Sequence, residues 1–328
     1  MIGAMDVLPL GIEDVRAAAA RIHGRVHRTP LLRSRSIDAI AGRALLFKAE
    51  NLQRGGAFKA RGATNHVARA CEGLEKPRGV VTYSSGNHAQ GVAIAAGAFG
   101  LPCVVVMPQD APKAKVEATR GYGAEVLFRG RTSEERRGLA QEVLQERGYR
   151  MVPPFDDPDI VAGQGTVGLE ILEEVPDVGA IVVPVGGGGL IAGVALAAKA
   201  LKLGIRVFGV EPEAADGLRR SLEAGRVVTI RPGETIADGL KPVAPGDIPF
   251  ALARKLVEKV VTVTDPEIER AVRLLAERMK ILVEPSGAAA LAAVLAGKVP
   301  SIWGETALVL SGGNADPAVF ARILSGGS

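Results

Sequence analysis

Aromatic side chains are scarce in this chain: Trp, Tyr and Phe together supply 4% of its 328 residues. That is too few for a platform on which nucleic-acid bases stack. The formal charge is only +4, and acids and bases interleave, as in Glu134-Glu-Arg-Arg137. Neither a nucleic-acid partner nor a membrane surface is expected from such a mixture. Cysteine occurs twice, at Cys71 and Cys103, without metal or redox spacing, so a reducing, cytoplasmic compartment is expected. Met1 to Gly11 has no basic segment followed by an apolar core, which argues against a secretory leader. One uncharged run, Val178 to Ala198, is long enough to span a bilayer. Pro184 and four successive glycines break it, so strand, tight loop and helix account for it better. Repeats and low-complexity tracts are absent as well.

What remains is an ordinary globular composition, 47% hydrophobic and 23% charged. Short Val/Ile runs at 79–83, 103–107, 125–128, 180–185, 206–211 and 307–310 read as strands. Between them, 88–99, 114–122, 190–201, 266–279 and 286–295 read as helices. Continuous apolar strands between helices imply parallel sheets covered on both faces, hence an α/β class with two open, mainly parallel sheets. The clearest punctuation is Pro153-Pro-Phe-Asp-Asp-Pro158, with a weaker break at Lys76-Pro-Arg-Gly79.

Four segments carry chemistry. In Gly55-Gly-Ala-Phe-Lys-Ala-Arg-Gly-Ala63, Lys59 has little side-chain bulk around it, which leaves room for a planar ring. An amine there can form a Schiff base with a carbonyl cofactor; a plain lysine in a Gly-rich turn is the alternative. Ser84-Ser-Gly-Asn-His88 supplies hydroxyls and amides at a helix start, suited to a carboxylate, and equally to an N-capping turn. Gly186 to Gly189 follow a strand and open a helix, where free amides and the helix dipole favour an anion. That segment has a second reading: Gly187-x-Gly189-x-x-Ala192 followed by Glu211 fits a relaxed dinucleotide fingerprint. Leu310-Ser-Gly-Gly-Asn314 is the fourth.

Together and in this order, these motifs resemble the threonine dehydratase and serine racemase group of fold-type II pyridoxal-phosphate enzymes, over about Arg28 to Asn314. The resemblance implies a tryptophan-synthase-β-like fold. Its large domain would comprise 1–76 and 157–328, and 77–156 would form a small domain carrying the substrate loop. It implies pyridoxal 5'-phosphate on Lys59, Phe58 near the ring, Asn87 on the ring oxygen, and the amides of Gly186, Gly187, Gly188, Gly189 and Leu190 on the phosphate. Ser311 would face the pyridine nitrogen. A serine there, unlike an aspartate, holds a proton weakly, which favours rapid loss of a β-substituent over a long-lived carbanion. The implied reaction is dehydration and deamination of L-threonine or L-serine, with Lys59 as general base. A racemase of serine or another small amino acid, or a 3-hydroxyaspartate dehydratase, is the alternative. Ser84, Ser85, Gly86, Asn87 and His88 would hold the substrate, Ser85 serving as an opposite-face acid/base. Arg136 lies where the family often has an arginine near the substrate carboxylate, though a solvated helix charge explains it too. His88 reads as a hydrogen-bonded structural residue or a proton shuttle. Glu284, before Pro285, has no assigned role. A homodimer or homotetramer is expected.

Two departures stand out. Many relatives bind a divalent cation through E-x-x-x-A-x-D; here Glu211 and Ala215 match, but Gly217 replaces the aspartate, and Asp216 is one residue out of register. Loss of a hard oxygen ligand makes dependence on a divalent cation doubtful. The chain also leaves little length after Asn314, so a C-terminal regulatory domain is not expected.

Overall fold

A computed structural model describes residues 10–326; most of the N-terminal stretch considered above for a leader, residues 1–9, lies outside them. Among the described residues the strands are β1 (Leu31–Leu32), β2 (Leu45–Lys48), β3 (Val80–Tyr83), β4 (Cys103–Met107), β5 (Glu125–Phe128), β6 (Arg150–Met151), β7 (Ala180–Pro184), β8 (Arg206–Pro212), β9 (Lys259–Val263) and β10 (Thr306–Val309). They form a six-stranded sheet, ordered β1-β2-β10-β7-β8-β9, and a four-stranded sheet, ordered β5-β4-β3-β6. Every pairing is parallel except β1 with β2.

The larger sheet is apolar on both faces, as parallel sheets between helices require. Along β7, Ala180 and Val182 join one core cluster with Phe208 and Leu291, while Ile181 and Val183 join the other with Ile191 and Val194. Successive side chains point to opposite faces, so a continuous Val/Ile run serves two cores at once. The smaller sheet packs Val105 and Met107 under Val92 and Ala96, and Val104 and Val106 under Ala140 and Val143.

All strands of the smaller sheet fall within residues 80–151, and those of the larger come from both flanks. We retain 1–76 with 157–328, and 77–156, as the proposed domain division. No helix among the described residues is long and apolar enough to cross a membrane.

Candidate active site

Parallel strands put their carboxyl ends on one side, where an open α/β sheet binds ligands. Lys59 follows the loop after β2, the glycine run follows β7, and Ser311 follows β10. Backbone bonds lock the first and last together: Phe58 N donates to Ser311 O at 3.1 Å and Gly313 N to Gly56 O at 2.8 Å. The Ser84–His88 loop follows β3 of the other sheet. Helix Asn87–Ala98 brings it close, because a Cβ on Gly91 would lie 3.0 Å from the carbonyl carbon of Lys59. A glycine allows that approach without displacing the Lys59 backbone.

Lys59 opens helix Lys59–Cys71. Its Nζ donates to Pro154 O at 2.7 Å and sits 5.1 Å from the centroid of the Phe58 ring. Burial lowers the Lys59 amine to about 8, since desolvation penalises the charged form. The amine is therefore far more readily neutral than an exposed lysine.

Gly189 begins helix Gly189–Leu201, and Gly188 caps it with φ +87, the left-handed region that glycine tolerates. Gly187 lies under Phe155: a Cβ there would come within 2.2 Å of the ring. Gly187 to Leu190 are buried. Among the described residues, no backbone acceptor takes the amides from Gly186 to Leu190. Buried N–H groups without partners are rare in proteins, and a run of them at a helix start calls for an anion.

Ser311 is 4% exposed beside this array. Asn87 Nδ2 donates to Glu284 Oε1 at 2.7 Å, and its Oδ1 accepts from Asn314 Nδ2 at 2.9 Å. In the Ser84–His88 loop, Gly86 N donates to Ser84 Oγ at 3.3 Å, while Ser85 is half-buried. His88 Nε2 contacts Val152 O at 3.0 Å. Burial, reinforced by the nearby Lys59 charge, lowers His88 to about 3. It is a neutral ring held by backbone, which favours the structural reading over a proton shuttle.

Arg136 is not tied to this loop. Its guanidinium donates to Arg131 O and Ser133 Oγ, each at 2.9 Å, and its Nε is buried without a partner. The cation motif does not present a donor set. Both Glu211 oxygens accept backbone amides, from Leu218 at 2.8 Å and Arg219 at 2.9 Å. Asp216 is paired with Arg219 and Arg220, and Gly217 offers no side chain. Ala215 lies in the short turn Glu213–Ala215. These residues do not fit a cation. The dinucleotide reading weakens too, since Glu211 is buried, at 1% exposure, with both oxygens turned to backbone amides. A second grouping of metal-type side chains, His66, Asp157 and Asp159, is explained by Asp157 capping helix Pro158–Glu174 and pairing with His66 at 3.0 Å.

The Lys59–Ser311 cluster does fit pyridoxal phosphate. It offers a deprotonatable amine, unpaired amides for a phosphate, and an amide and a hydroxyl for the ring. Sequence reading missed the Pro154 carbonyl and the Asn314–Asn87–Glu284 chain. A backbone acceptor leaves no side-chain signal, and the latter residues are far apart in sequence.

Comparison with known proteins agrees. The family model described as "Pyridoxal-phosphate dependent enzyme" matches residues 22–312. The chain is similar to the L-threo-3-hydroxyaspartate ammonia-lyase of Saccharomyces cerevisiae, with 43% identity over 95% of this chain and 96% of that protein. It is also similar to the L-threonine ammonia-lyase of Geobacter sulfurreducens, with 46% identity over 95% of this chain and 78% of that protein. The solved structure of maize serine racemase superposes with a TM-score of 0.90 at 42% identity, covering 96% of this chain and 97% of that one.

Proposed function

The chain belongs to the pyridoxal-phosphate dependent enzyme family, and from that premise we propose that it dehydrates and deaminates L-threonine or L-serine to a 2-keto acid and ammonia. The observation that carries this reading is a single one. A lysine amine lowered to about 8 stands in one site with a run of amides that have no acceptor among the described residues. When bound, pyridoxal phosphate supplies an aldehyde that condenses with amines and a ring that draws electrons from the adjacent carbon.

The protein's own groups divide the remaining work. Gly186 to Leu190 would hold the phosphate with their amides. Asn87 would present an N–H to the ring oxygen and Ser311 its hydroxyl to the ring nitrogen, with Phe58 nearby. Ser84, Ser85, Gly86 and Asn87 receive the substrate carboxylate at the start of their helix, with His88 bracing the loop through Val152. Lys59 takes the Cα proton as general base, a role its lowered pKa suits near neutral pH. Loss of the β-hydroxyl as water takes up one proton, which balances the one that Lys59 removes from Cα. Arg136 is kept as a weak candidate for the substrate side.

Racemisation of serine is a second reading, favoured by the likeness to maize serine racemase and by the half-buried hydroxyl of Ser85. Dehydration of 3-hydroxyaspartate is a further option, supported by the yeast relative. We propose further that the protein works as a homodimer or homotetramer in the cytoplasm.

One experiment tests the proposal. The purified holoprotein is given L-threonine, L-serine or L-threo-3-hydroxyaspartate, and keto acid and D-amino acid are measured together. Keto acid from threonine or serine supports the proposal. D-serine formed faster than pyruvate points to the racemase, and turnover confined to hydroxyaspartate to the third option.

A further inference from the structure

Glu284 occupies the N-cap of helix Pro285–Leu295 yet makes no capping bond with its side chain. Its Oε1 instead accepts from Asn87 Nδ2 at 2.7 Å. The direction of this bond follows from the rest of the chain. Gly55 O can only accept, so the Asn314 atom 2.7 Å from it is the amide nitrogen. That nitrogen also lies 2.9 Å from Asn87, which must therefore present its oxygen there and its nitrogen to Glu284. Asn87 thus has its oxygen engaged and one N–H engaged, and a single N–H remains.

The contact depends on Gly312. A Cβ at that position would lie 2.5 Å from Glu284 Oε1 and 3.0 Å from Asn87 Nδ2. Gly312 O in turn accepts Glu284 N at 3.0 Å, which ties the pair to the backbone beside Ser311.

We propose that Glu284 is a positioning residue, a hydrogen-bond acceptor that turns Asn87 so that its free N–H meets the cofactor's ring oxygen. The inference rests on the pyridoxal-phosphate reading above. Burial raises the Glu284 carboxyl above its ordinary range, with Asp238 adding to the shift and Asn87 and Lys115 opposing it. An acceptor role does not require the charge, so glutamine should substitute for it.

The test is a double-mutant cycle on wild type, E284Q, E284A, N87A and N87A/E284A. It reads pyridoxal-phosphate affinity by equilibrium dialysis, together with the absorption band of the bound cofactor and its pH titration. E284A should weaken affinity about tenfold and shift the titration, the size of one lost hydrogen bond to a site group. E284Q should stay near wild type in both. In the N87A background, E284A should add nothing, because the two act as one unit. An E284A effect that persists undiminished without Asn87, an E284A protein indistinguishable from wild type, or an E284Q protein as impaired as E284A would each overturn the inference. A wild-type protein that takes up no cofactor would instead overturn the functional reading on which it rests.

Discussion

Replacing Arg61 with methionine should destabilise the fold by an amount that depends on pH. Arg61 is completely buried, two residues beyond Lys59. Its Nε and Nη2 each donate to Glu50 at 2.8 Å, and Nη1 donates to Glu170 at 2.6 Å. Lys48 Nζ joins Glu170 at 2.5 Å. Without the guanidinium, Glu170 keeps Lys48, but among the described residues Glu50 keeps only the Thr29 hydroxyl as a direct partner. Removing one member of a buried pair costs about 3–5 kcal/mol, because the other charge is left uncompensated. For a chain of 328 residues, unfolding entropy near 2.1 cal/mol/K per residue turns that into a fall in Tm of about 4–7 °C.

The pH dependence has a definite sign. Burial pushes Glu50 up, but Arg61 beside it, joined by Lys48 and the Thr29 hydroxyl, holds the carboxyl below its ordinary value. In the native protein that contribution is therefore present above the unfolded carboxylate pKa and fades as pH falls through the lowered one. In the variant burial prevails, the carboxyl rises, and the cost of ionising it grows with pH. The gap in Tm between wild type and Arg61→Met should widen from pH 5 to pH 8. Adding Glu50→Gln to the variant should recover a large part of the loss. Differential scanning calorimetry at both pH values decides the matter. A fall in Tm of under about 1 °C, or one that does not change with pH, would refute the reasoning.

Two further outcomes are expected. Gly188→Ala places a Cβ 2.9 Å from Pro249 Cβ at φ +87, so cofactor affinity measured by dialysis should weaken about tenfold while the fold persists, left-handed strain alone being worth about 1–2 kcal/mol. Ca²⁺ or Mg²⁺ at millimolar concentration should change turnover by less than about twofold, and chelators likewise, because Glu211 and Asp216 are committed to protein partners.

The strands were the most legible part of this fold. Buried parallel strands need apolar residues on both faces, so β4, β7, β8 and β10 appear as continuous runs and fall within a residue of their expected bounds. Helix Lys59–Cys71, which begins at the candidate lysine, was not legible. It buries Arg61, Thr64, Asn65 and His66 on its packed faces, so hydrophobic periodicity carries no signal there. Over 266–279 the periodicity continues, yet the last turn widens into a π-helix, Leu275–Met279, and stops at Lys280 with φ 59. The lysine, glycine-run and serine motifs were legible because each places an unusual residue type in a small-residue setting. Their mutual support was not: Glu284 and Asn87 are 197 residues apart, and the Lys59 acceptor is a main-chain carbonyl. Spacing along the chain encodes neither.

The central claim is that one amine, Lys59, captures the cofactor aldehyde. Borohydride reduction of the holoprotein followed by peptide mass mapping measures this directly. A phosphopyridoxyl adduct should appear on Lys59, and the capture rate of the cofactor-free protein should rise with pH through a midpoint near 8, following the lowered amine. An adduct on another lysine, or no adduct at all, would contradict the account.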